Sequence, residues 1–122
     1  MKRFMLAALL ALAFSGSAAA DYWSEFEAGV DAFAAGRHDA ALGHFRPLAE
    51  HGDNRSQYWL GIMYFEGKGV PEDFVRAHMW LSLAAEGGNR GARIGRDGIA
   101  DRMSAAEIAE AERLAAAWQP SQ

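Results

Sequence analysis

Apolar side chains recur at intervals of three and four along most of the chain. From Asp21 onward there is no alternating run of the kind that marks strands. The pattern predicts helices throughout. A first, about 22–35, stops at Gly36, and a second, about 39–51, stops at Gly52 and contains Pro47, a residue that can kink a helix or break it in two. A third runs over about 54–66 to Gly67, and a fourth over about 71–86 to Gly87 and Gly88. Residues 89–103 read as weakly helical, because Gly91, Gly95 and Gly98 each lower helix propensity by up to about 1 kcal/mol relative to alanine. The last helix is better marked. Ser104 and Glu107 have the spacing of a capping box, and Ile108, Ala111, Leu114, Ala115 and Trp118 then share one face.

The stretch GKGVPED, residues 67–73, has glycines flanking a lysine. It reads as a joint between helices, with Pro71 in a first turn and Glu72 and Asp73 at the positive end of the helix dipole. A phosphate loop is excluded. No strand precedes the stretch, neither GxxxxGK[ST] nor GxGxxG is present, and Glu72 stands where a third glycine would be.

The amino terminus changes the picture of where the chain works. Lys2 and Arg3 precede an apolar run from Phe4 to Phe14 and then small residues ending in Ala18, Ala19 and Ala20, the layout of a signal peptide over 1–20. The apolar run is far shorter than the roughly 20 residues a membrane span needs, so no anchor is expected after cleavage. Export, to a periplasm or the medium, is the expectation. The remainder, 21–118 with a fraying tail at 119–122, is long enough for one small domain. Loss of Lys2 and Arg3 leaves ten basic side chains against 16 acidic ones, a formal charge of −6, which argues against nucleic acid as a partner. With no cysteine, packing alone must hold the fold.

Shifting the chain over itself by 36 residues lays Ala41 on Ala77, Phe45 on Leu81, Ala49 on Ala85, Gly52 on Gly88 and Ser56 on Ala92. A period of this length indicates stacked helical pairs. Residues 56–92 closely resemble one unit of the Sel-1-like repeat family, relatives of the tetratricopeptide repeats. The resemblance rests on Leu60, Gly61, Met63, Tyr64, Gly67, Gly69, Val70, Asp73, Ala77, Trp80, Ala84, Ala85, Gly88 and Ala92. Residues 29–52 resemble a more degenerate unit, through Gly29, Phe33, Gly36, Ala41, Phe45 and Gly52, and the tail MSAAEIAEAERLA resembles a closing helix. Departures are Ser56 where alanine is usual and Arg96 where a further unit would want a large apolar residue.

The resemblance implies an all-α fold, a short right-handed α/α superhelix. Two helix-turn-helix units, about 22–55 and 56–92, are followed by terminal helices over 93–118. It further implies a protein or peptide partner, in the cell envelope given the leader, and no cofactor. The contact positions of tetratricopeptide units, carried over by alignment on Leu60, Gly61 and Tyr64, fall on Arg55, Tyr58, Ile62, Phe65 and Glu66. In the first unit they fall on Trp23, Phe26, Val30, Phe33 and Ala34. Each set holds an aromatic–aliphatic–aromatic stripe. Two readings stand open: the stripes pack between helices, or they line an exposed groove for a peptide or helix.

Other chemistry is thinly represented. Arg90, Arg93 and Arg96 form either a basic strip or a solvated face that sees Glu107, Glu110 or Glu112. His44 and His51 share a helix face two turns apart, but metal ligands usually sit closer or are joined by cysteine or carboxylate. No serine lies in a GxSxG elbow, and no carboxylate stands in an evident apolar niche. The leading expectation is therefore a non-catalytic binding module. The competing one is a small hydrolase or ligand-binding protein acting on cell-wall material; the disulfide-rich relatives behind that idea are not matched by a chain without cysteine.

Overall fold

A computed structural model describes residues 20–121, so the expected leader lies outside the described residues except for Ala20. Among the described residues the chain forms six helices and no strand. They are α1 over 20–34, α2 His38–Glu50, α3 Asn54–Glu66, α4 Phe74–Glu86, α5 Arg90–Ala100 and α6 Ala105–Ala117. The caps explain most of the boundaries. Asn89 accepts from the Ala92 N–H (2.9 Å) to start α5, and Ser104 and Glu107 exchange bonds of 3.1 and 3.0 Å to start α6. Gly67 ends α3 in the left-handed region, at φ 67°.

Two expectations at helix ends need correction. α4 begins at Phe74 rather than Pro71, because the Asp73 carboxylate captures the Arg76 N–H at 3.0 Å and makes Asp73 the cap, leaving Pro71 and Glu72 in the loop. Pro47 neither breaks nor divides α2. Its ring and Gly43, whose carbonyl loses its hydrogen bond there, both lie on the exposed side, where water can satisfy the freed group.

Within each pair the helices meet at a glycine. A β-carbon at Gly29 would stand 2.7 Å from the Phe45 ring, and one at Gly61 would stand 2.7 Å from Leu81 Cγ. The two contacts are equivalent under the repeat, α1 on α2 and α3 on α4, and they allow Phe45 and Leu81 to be fully buried. Each such burial contributes about 1.5–3 kcal/mol. Around Phe45 gather Ala32, Ala41 and Met63; around Leu81 gather Leu60, Tyr64, Ala77, Trp80, Ala84 and Ile99. Leu42 and Val70 touch both groups, so the core runs on from one pair to the next.

The helices stack in chain order. α2 packs on α3, α3 on α4 and α4 on α5, and α6 closes the stack against α4. The loop 67–73 is the joint that its composition predicts. Gly69 approaches the His38 carbonyl so closely that a β-carbon would lie 2.9 Å from it, and the Asp73 N–H donates to the Tyr64 carbonyl at 2.9 Å. In glycine-rich α5, Gly91 and Gly95 face α3 and α4, and Gly98 faces open space. β-Carbons at Gly91 and Gly95 would be 3.5 Å from Tyr58 and Leu81, while Ala92 and Ile99 anchor the helix in the core. Beyond α6, Trp118 meets Trp80 edge-on at 6.2 Å, and the Ser121 N–H donates to the Glu50 carbonyl at 2.6 Å, a tether where the sequence suggests fraying.

Candidate partner-binding face

The first helices of successive pairs, α1, α3 and α5, share one side of the stack. Trp59 joins α1 to α3: its indole lies parallel to the Phe45 ring (5.6 Å, 3°) and tilted against Phe33 (5.1 Å). At the start of α3 the Arg55 guanidinium stands 4.2 Å from the Trp23 ring and 4.4 Å from the Phe26 ring. On its other side it donates from Nε to the Asp53 carboxylate at 3.2 Å. A cation over two aromatic faces, oriented by a carboxylate, is held in one place.

The ten candidate positions do not all share one environment, and Ala34 is exposed. Trp23 is 57 % exposed and Glu66 is exposed. Phe26, Val30, Phe33, Arg55, Tyr58, Ile62 and Phe65 are half-buried. Phe26, Val30 and Phe33 rest on the Phe45 core, and Tyr58 and Phe65 on the Leu81 core, whereas Ile62 belongs to neither. The inner edges of the stripes are thus structural and their outer edges reach the surface. Trp23, Phe26 and Arg55 come together. Glu66 instead pairs with Lys68 (2.7 Å), whose ammonium lies 5.3 Å from the Phe33 ring. Phe65 is drawn to the far end, tilted on Phe74 at 5.4 Å, with the Arg102 guanidinium over both rings.

Three contributors escape the sequence reading. Trp59 is off the aligned contact positions, yet it is the hinge between α1 and α3. Arg102 reaches back from beyond α5. Ile94 is 70 % exposed, one helical turn from the Gly91 that packs on Tyr58. The 36-residue shift lays Tyr58 on Ile94, a signal obscured by the glycines around it.

Several of the remaining charged groups have local partners. Arg96 donates to Asp97 (3.1 Å), Glu110 is bridged twice by Arg113 (2.7 and 2.8 Å), and Glu107 is committed to its cap, so neither glutamate answers the arginines of α5. His44 pairs with Glu25 at 2.7 Å and the His51 ring with the Pro47 carbonyl at 2.7 Å, so these two imidazoles turn to different partners. Among the described residues no group of three or more potential ligands converges on a metal position.

Paired helices stacked in order define the class, an all-α solenoid of helical repeats. Residues 54–89, which span α3, the 67–73 loop, α4 and the turn after it, match the family model described as Sel1 repeat. Over that stretch the chain is similar to a Sel1 repeat, consistent with a Sel1-like repeat protein, and such repeats generally mediate protein–protein interaction. A search of curated proteins found no match to the chain.

Proposed function

We propose that the protein is an exported, non-catalytic binding module that takes an apolar peptide or helix of a cell-envelope partner across the α1–α3–α5 face. The observation that carries this reading is the row Trp23, Phe26, Tyr58 and Ile94. Its two ends are exposed and its middle is half-buried, with Arg55 fixed beside it. Exposed aromatic and aliphatic side chains backed by a packed core supply contact area at little entropic cost, and a fixed guanidinium sets orientation. Export rests on Lys2, Arg3 and the short apolar run before the small residues at 15–20. Among the described residues no helix is long and apolar enough to cross a membrane.

Photo-reactive side chains placed at 58, 94 and, as a control, 109 on the exposed side of α6 test the reading in cells. A protein adduct common to 58 and 94 and absent from 109 is the expected outcome. Adducts that are the same from all three positions would rule out a dedicated face.

A further inference from the structure

A cavity of 480 Å³, lined by both polar and apolar side chains, lies between α4, α5 and α6, away from the aromatic face. Small-molecule sites span roughly 300–1,000 Å³. Its floor is built from His78 and Ser82, only 4 % and 8 % exposed, with Ser82 Oγ 3.3 Å from His78 Nδ1. Among the described residues the other ring nitrogen, Nε2, has no hydrogen-bond partner, and it is not sealed away from solvent either. A buried imidazole that lines a cavity with one free nitrogen is a ready-made contact for a ligand.

The charge at the mouth decides what kind of ligand. Glu86, Asp97 and Glu112 face a single guanidinium, Arg96. Arg96 and Asp97 neutralise each other at 3.1 Å, and Glu86 and Glu112 have no ion-pair partner among the described residues. Ala100 and Ile108 add apolar lining. Burial first, and Arg96 second, hold the His78 imidazole below its ordinary pKa, so it is neutral at pH 7. When its Nδ1–H donates to Ser82 Oγ, the Nε2 lone pair is left to accept.

We propose that this cavity binds a short alkyl diamine. One ammonium donates to His78 Nε2 at the floor, the methylene chain lies along Ala100 and Ile108, and the second ammonium sits between the Glu86 and Glu112 carboxylates. A neutral acceptor below and uncompensated negative charge above select against anions. Lysine side chains of peptides carry the same ammonium chemistry, and the test separates the two sources.

The mature chain is titrated with cadaverine at pH 7 while the ring protons of His38, His44, His51 and His78 are followed by NMR. A capped alanine peptide with one lysine is titrated in parallel. The expected result is a saturable shift confined to His78, with a Kd of about 1 mM or tighter. Glu86→Gln and Glu112→Gln, both changes of exposed side chains, should each weaken it by about fivefold. Four outcomes would overturn the proposal: no His78 shift, an equal shift of all four imidazoles, wild-type affinity in Glu112→Gln, or saturation by the peptide without saturation by cadaverine.

Discussion

Arg55 and Trp23 bind the two helical pairs together across the candidate face, guanidinium over indole at 4.2 Å, with Phe26 at 4.4 Å completing the clasp. The clasp joins α1 of the first helical pair to α3 of the second, so it sets how the two helices lie together as well as what the surface presents. Arg55→Ala should lower stability by about 1 kcal/mol, the worth of a partly desolvated cation over aromatic rings. Arg55→Lys should recover less than half of that, since an ammonium on a flexible stem cannot stack. Urea unfolding followed by tryptophan fluorescence measures both; a lysine variant equal to wild type would show that charge alone matters.

The glycines of the helix pairs are not equivalent to those of α5. Gly61→Ala would drive a methyl to 2.7 Å from Leu81 Cγ and 3.3 Å from the Ala77 carbonyl. Overpacking of this kind costs about 1–3 kcal/mol and outweighs the gain of about 1 kcal/mol in helix propensity. Gly98→Ala meets nothing within 4 Å, so it should stabilise the protein by about 0.5–1 kcal/mol. Thermal unfolding of the two variants should move in opposite directions.

Ser104→Ala removes the hydroxyl that caps α6 and should cost about 1 kcal/mol. The Ser104 backbone N–H, and then its hydroxyl, hold the Glu107 carboxyl below the usual carboxylate range. A depressed carboxylate contributes stability above its unfolded pKa and loses it as pH falls through the folded value. The wild type should therefore lose part of its advantage over Glu107→Gln on acidification from pH 6 to pH 3, approximate bounds that bracket the carboxylate range. A gap between the two that stays constant with pH would exclude this linkage.

His78 gives a second pH dependence with its own sign. The imidazole lies on α4 with Glu86 and faces Arg96 and Asp97 of α5 and Glu112 of α6. Burial and Arg96 lower its pKa from 6.5 against the opposing pull of Glu112 and Asp97. Well above 6.5 the group is neutral both folded and unfolded and contributes no slope. As pH falls below 6.5 the unfolded chain takes up the proton more readily, so stability declines until the folded pKa is reached. Urea midpoints between pH 8 and pH 5, rough limits spanning that window, should fall more steeply for the wild type than for His78→Gln.

Much of this architecture can be read from residue order, because local chemistry fixes it. Gly67 ends α3, and Ser104 with Glu107 starts α6, by contacts made within a few residues. The start of α4 is less legible because Pro71 and Asp73 both suit a helix entrance, and only the bond from the Arg76 N–H to the Asp73 carboxylate decides between them. The aromatic stripes are visible as periodicity, but their division into buried and open edges depends on how closely α1, α3 and α5 lie. Gly91 against Tyr58 sets that distance between α3 and α5. The clasp of Arg55 on Trp23 and the burial of His78 arise from packing between helices, which no local spacing encodes.

The most direct test of the binding face is the affinity of the protein captured from position 94, measured by calorimetry against wild type, Ile94→Asp and Ala109→Asp. Ile94 is 70 % exposed, so its change should leave the melting temperature unaltered. If the row from Trp23 to Ile94 receives the partner, Ile94→Asp weakens binding by about tenfold or more, while Ala109→Asp binds as wild type. Equal affinity for the wild type and Ile94→Asp would contradict the account.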